Sequence, residues 1–474
     1  MTIARKVAIN TGVQILGQAS NYGIGIMTSI LLVRYLGPAE FGKYTFVTVY
    51  IVMFTTINNF GVGTILARDI AKDRMKAGCL IGNAILLKSL IALVTMSFSI
   101  IVVSLLRYPS DIRLYVYIIS FTLIISAPSV VAAIFQVNLQ MGYSSFCNAV
   151  GRLLFLGVVG YTIWSRGGIL NLVVGSVVAS GVITLMLYAF SRRFVTFKIK
   201  INLPLSKQLF YESFPMGILF IIGFYIHKVD ILLLSRMDTS AAVGFYNAAY
   251  KFVDIGMSLP AILLISLLPL FSEYFSNSRE KLIIVYQKSI DLLAITFIPI
   301  AIVVTIRARQ IIELIYGPEY YPSTIALQIL VWTVVLMSIN VVFVNLLVAA
   351  GKQKKMITLY SVALVVNIIL NLVGIPIFSY RVSAVASLIC EVVVFYPLLR
   401  FTIQEISYKP SFLVALKSVA AAITAAGLLF LIPGLHVFIQ LCLFLSIYTT
   451  ILFILRGMTY GDFLLFSSKR GSLQ

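Results

Sequence analysis

Asn10, Gln14, Gln18, Asn21 and Thr28 step through the first apolar run of the chain at intervals of four, four, three and seven residues. At about 100° per residue they share one helix face roughly 80° wide, with Gly17 and Gly25 on or beside it. Amides and a hydroxyl in such a row either line a polar cavity or hydrogen-bond a neighbouring helix across small residues. A second set is ionisable. His227 and Asp230 lie late in one apolar run, and Lys251 and Asp254, three residues apart, lie in the next, so the four are candidates for one network. Lys88 sits in a third run with no obvious local partner, and Glu212, Asp291 and Glu391 are further acids at apolar runs. An ammonium in a low-dielectric site attracts a phosphate more strongly than it does in water. A carboxylate that changes partners with conformation, or a histidine titrating near neutral pH, could couple movement to a proton or sodium gradient. The competing reading is structural, with ion pairs that hold helices together.

The elements that must position these groups are apolar helices. The chain has 474 residues, of which 60% are hydrophobic and only 11% charged, and its mean hydropathy is +1.03. That composition excludes a soluble fold, and apolar runs of about 20 residues match a hydrocarbon core of about 30 Å. They are too long for the strands of an outer-membrane barrel. The expected fold is therefore all-α, with fourteen spans near 7–33, 44–66, 79–105, 112–136, 146–164, 169–190, 210–234, 244–271, 288–306, 324–349, 355–378, 383–400, 412–432 and 436–456. If the N-terminus is cytoplasmic, 24 of the 36 basic residues, Arg152 among them, fall on the cytoplasmic side and nine on the other. Both termini are then cytoplasmic, as in a bacterial inner-membrane protein, and the net charge of +20 reflects topology and lipid head groups rather than nucleic acid. Every break is short, which leaves no room for a soluble catalytic domain or a phosphate loop. Cys79, Cys147, Cys390 and Cys442 show no paired spacing and read as thiols; no metal or cofactor is expected.

An internal repeat organises the spans. "VRYLGPAEFGKYTF" (33–46) returns 202 residues later in "LLLSRMDTSAAVGFYNAAY" (232–250), which aligns Arg34 with Arg236, Gly42 with Gly244 and Tyr44 with Tyr246. Residues 1–200 are expected to form an N-lobe of six helices, 201–405 a related C-lobe of six, and 406–474 two extra helices and a tail. An even number of helices per copy makes the repeats parallel, two bundles in a V around a central cavity. The same offset carries the polar face of the first helix onto Glu212, Met216, Phe220, Gly223 and Asp230, so the second face is acidic where the first is neutral. Arg34 and Arg236 mark equivalent helix ends, where they either snorkel or close a gate with Glu40 or Asp238. Pro215, Pro260, Pro269 and Pro299 predict kinks in helices seven to nine.

"RYLGPAEFGKYTF", "GVGTILARDIAK" (61–72), "VGFYNAAYKFVDIG" (243–256) and above all "LIYGPEYYPSTIALQILVW" (314–332) with "LLVAAGKQKK" (346–355) resemble the Wzx-type polysaccharide flippases. These belong to the multidrug/oligosaccharidyl-lipid/polysaccharide exporter superfamily. The resemblance implies an inner-membrane carrier that flips undecaprenyl-diphosphate-linked oligosaccharide by alternating access, with polymerase and chain-length proteins of the same pathway as candidate partners. A multidrug or other lipid exporter of the superfamily is the alternative, and a polysaccharide polymerase a more distant one.

Overall fold

The structure is a computed structural model that describes residues 3–196, 202–430 and 437–457. Among them all regular structure is helical: α1 Ile3–Asn59, α2 Val62–Lys72, α3 Ala77–Leu105, α4 Ser110–Ile125, α5 Ala133–Val137, α6 Gly142–Trp164, α7 Ile169–Ser191, α8 Leu203–Met237, α9 Ser240–Gly256, α10 Ser258–Asn277, α11 Arg279–Tyr316, α12 Ser323–Ala349, α13 Gln353–Phe378, α14 Tyr380–Ile406, α15 Leu413–Phe430 and α16 Val437–Ile454. Nine helical stretches among the described residues are long and apolar enough to cross a membrane. The predicted spans map onto these elements in order, two of them sharing α1.

Three predicted boundaries are corrected. The loop expected between the first two spans shrinks to one residue, Gly37, at φ 67° and ψ 173°, with helix on both sides. Glycine carries no Cβ to forbid that φ, and Pro38, first in the resuming helix, lacks only an N–H that would have had no partner there. The second span, expected to be continuous, breaks at Phe60 and Gly61, whose φ values are 39° and 74°. The eighth parts at Met257, between α9 and α10. The fourth span also changes character, passing through a 3-10 turn at Ala127–Ala132 between α4 and α5. Pro128 has no N–H to donate, and Ser129 N bonds back only three residues, to Ser126 O at 3.0 Å.

The chain divides into two compact units, Met1–Ala248 with Ile315–Tyr320 and Asn367–Ser383, and Ala249–Leu314 with Tyr321–Val366 and Ala384–Gln474. In the first, one apolar core gathers Phe46, Tyr50, Phe54, Val116 and Leu123, and a second gathers Leu66, Ile81, Ile134, Phe135 and Cys147. Within the second unit the extra pair docks on α11, where Tyr448 OH donates to Ile295 O at 2.8 Å and lies 2.9 Å from Ser418 Oγ.

The 202-residue offset reappears as a contact inside the first unit. A Cβ on Gly42 would strike the carbonyl of Ser240, and a Cβ on Gly244 would strike that of Pro38. Positions 38 and 240 are themselves one offset apart. Beside this crossing Asn247 Nδ2 donates to Thr45 Oγ1 at 2.9 Å, again 202 residues away. The 202-residue offset carries the Gly42–Ser240 contact onto the Gly244–Pro38 contact and Thr45 onto its partner Asn247, which is the signature of a local two-fold axis.

Candidate functional site

The breaks in the second and fourth spans create a pocket. Where the helix stops at Asn59 and restarts at Val62, its new N-terminus has Gly61 as cap and no side chain satisfying the first N–H groups. The 3-10 turn swings Ser129, Val130 and Ala132 toward the same space, and α5 and the start of α6 add Gln136 and Ser144. A cavity of about 300 Å³ results, with Gly63, Thr64, Lys88 of α3 and Phe220 of α8 also on its wall.

Lys88 is the one cation among its described lining residues. The side chain is 4% exposed, and Nζ donates to Asn59 Oδ1 at 2.9 Å. No carboxylate lies among the described lining residues, so a neutral amide is what holds a buried ammonium. Ser144 Oγ is buried with no hydrogen-bond partner among the described residues. An ammonium, an uncapped helix N-terminus and an unsatisfied hydroxyl on one small cavity make a site for an anion, because each offers a proton or positive potential and none opposes it.

The model for the polysaccharide biosynthesis protein family matches residues 7–275. The chain belongs to that family. It is a polysaccharide flippase of the multidrug/oligosaccharidyl-lipid/polysaccharide exporter superfamily, whose members are carriers rather than catalysts. The MatE model matches residues 215–373. A probable low-salt glycan biosynthesis flippase of Haloferax volcanii is 22% identical over 372 residues, 77% of each chain. The lipid II flippase MurJ in an inward closed conformation has a TM-score of 0.78 at 14% identity, over 95% of this chain and 100% of that one. An inward-facing multidrug resistance MATE transporter scores 0.67 at 14% identity, over 81% and 94%. At these identities the two structures establish a shared fold.

The remaining sequence-predicted residues of this flippase lie on several helices of both units. Asn10, Gln14 and Met216 lie outside the residues whose side chains are described. Gln18 is exposed and Asn21 half-buried, while a Cβ on Gly17 would meet Ser145 and one on Gly25 would meet Arg152, so the small-residue side of the first face packs on α6. Arg152, assigned to a cytoplasmic segment, instead sits about 15 Å into α6 by helical rise and donates to Asn21 O at 3.0 Å. On α8, Glu212 pairs with Arg68 and accepts from Gln208 Nε2 at 2.8 Å. His227 is half-buried, and Asp230, fully buried, accepts from the Tyr246 hydroxyl. In the second unit Lys251 and Asp254 form the expected i, i+3 pair at 3.9 Å, Asp291 accepts from Gln287 Nε2 at 2.8 Å, and buried Glu391 accepts from Asn340 Nδ2 at 2.8 Å. Arg34 Nε donates to Ile315 O at 2.7 Å and Arg236 is exposed. Glu40 meets Lys43 at 2.9 Å, and Asp238 accepts from the Ser379 hydroxyl and from Thr239 N at 2.7 Å. Sequence reasoning found Lys88 and Phe220 but missed Asn59, Gln136 and Ser144. The available signals were the glycines of "NNFGVG" (58–63) and Pro128 of "SAPS" (126–129), both inside runs read as unbroken helix.

Proposed function

We propose that this flippase carries undecaprenyl-diphosphate-linked oligosaccharide from the cytoplasmic to the periplasmic leaflet of a bacterial inner membrane by alternating access, with the diphosphate bound at Lys88. The observation that carries the reading is the buried ammonium hydrogen-bonded to the neutral Asn59 on a cavity whose described lining holds no carboxylate. Lys88 is buried against Asn59, and a diphosphate supplies the charge that Asn59 lacks. Hydrogen bonds to charged groups contribute about 1.5–3 kcal/mol each. A multidrug exporter selecting cations would need the opposite sign at this point, so the anionic, sugar-bearing substrate is favoured over that alternative.

Energy coupling is part of the proposal. Asp230 and Glu391, both buried and each hydrogen-bonded to a neutral side chain, are the acids we assign to a proton or sodium ion. Lys88→Met is expected to lower surface polysaccharide tenfold or more at unchanged membrane abundance, and Lys88→Arg to keep part of it. Full polysaccharide in the Met variant removes the pocket from the path. Asp230→Asn is expected to abolish dependence on the ion gradient in vesicles, and a reporter fused after Gln474 to read cytoplasmic.

A further inference from the structure

The 3-10 turn has a second side. Pro128 faces away from the Lys88 pocket and floors another cavity, about 430 Å³, between α3 and α7. Ile85 and Leu86 form one wall, Leu185 and Tyr188 the other, and only Ser89, Thr184 and the Tyr188 hydroxyl interrupt the carbon. Leu185 is 69% exposed and Tyr188 36%, so the slot opens outward along the apolar length of both helices. A wall that is mostly carbon suits a hydrocarbon chain better than a sugar, whose many hydroxyls would find few partners there.

One end of the slot is cationic. Arg192 and Arg193 follow Tyr188 within about a helical turn, Arg74 and Lys76 precede α3, and all four are exposed. Gly82, early in α3, and Tyr188, near the end of α7, line the same slot, so the start of one helix and the end of the other flank it. Arg193 lies 5.4 Å over the Phe190 ring. An apolar slot under a basic rim complements an amphiphile with an anionic head, and basic residues at a membrane surface each favour such a head roughly fivefold.

We propose that the slot between α3 and α7 binds an anionic glycerophospholipid of the surrounding bilayer, one acyl chain over Pro128 and the phosphate at Arg192 and Arg193. The site is independent of the diphosphate pocket and stands whether or not Lys88 binds substrate. The test uses the full chain in vesicles of phosphatidylcholine containing either phosphatidylglycerol or phosphatidylcholine with a photoreactive acyl chain, and maps the labelled peptides. Labelling at Ile85, Leu86 and Leu185 is expected to be at least about fivefold higher from phosphatidylglycerol. It is expected to fall to the phosphatidylcholine level in Arg192→Gln/Arg193→Gln, and to vanish for both lipids in Ser89→Phe, which fills the slot. Equal labelling by the two lipids in the unaltered protein, or undiminished phosphatidylglycerol labelling in the double variant, overturns the proposal. Displacement of the label by equimolar polyprenyl phosphate also overturns it, because it assigns the slot to the carrier lipid.

Discussion

The two ends of the second span make opposite kinds of contact. At the Gly37 end, Gly42 and Gly244 let two backbones meet, and buried Thr45 and Asn247 share a hydrogen bond; neither contact involves a charge, and the repeat offset carries each onto its counterpart. At the Arg68 end the contacts are made by long side chains of unlike identity. Phe60 stacks on Phe210 with ring centroids 5.4 Å apart and covers Gly217, and Arg68 pairs with Glu212, both partly exposed. Backbone approach is all-or-none, because a one-atom intrusion removes it. Side-chain contacts part and re-form at small cost, and exposed ion pairs are worth about 0–1 kcal/mol. A carrier working by alternating access needs both kinds, and we expect the first to set the pivot and the second to open.

Substitutions can break that contrast in graded steps. The largest effect is expected from Gly42→Leu, which drives a side chain into the Ser240 carbonyl; overpacking of about 1–3 kcal/mol or more should appear as a lower melting temperature in detergent and loss of transport. Thr45→Val leaves the Asn247 amide without its acceptor in a buried site, a cost of about 1–3 kcal/mol, and adding Asn247→Leu should restore part of the melting temperature. At the other end Arg68→Glu is expected to leave stability almost unchanged while shifting transport several-fold, and Arg68→Glu with Glu212→Arg to recover it; equal stability losses at both ends would erase the distinction. The smallest effect concerns Asp73, at the surface after α2, where Lys76 at 3.1 Å holds the carboxyl below its ordinary range. Because the folded value is depressed, its contribution is present above the unfolded value and lost as pH falls through the folded one. Melting temperatures of the unaltered protein and Asp73→Asn should therefore differ slightly at pH 5 and converge on further acidification.

The same contrast explains what could be read in advance. Span number and order follow from run length, and the repeat from a glycine and a tyrosine returning at fixed spacing, since both are local signals that survive in one dimension; that the two copies cross there is a tertiary fact. The anion pocket was only half visible. Lys88 stands out because charge in an apolar run is costly, but its partner Asn59 lies 29 residues away and is brought to it by tertiary packing. Hydropathy cannot reveal the breaks at Phe60–Gly61 and at Ala127–Ala132, because apolar residues continue through both. The charges that stand out in the sequence lie on α8 and α9, while backbone N–H groups, amides and a serine hydroxyl build the pocket.

The reciprocal crossing has a consequence for how such a chain can diverge. Two separate copies of one half could pair through Gly42 and its image as a homodimer, and every substitution would then strike both sides of the axis at once. Joined in one chain, each side accepts changes alone. Asp230, buried beneath Tyr246, occupies the place that Thr28 holds one offset earlier, where the hydroxyl bonds back to Ile24 O at 2.7 Å. A symmetric crossing held within one chain can carry a charge on one side without carrying it on the other.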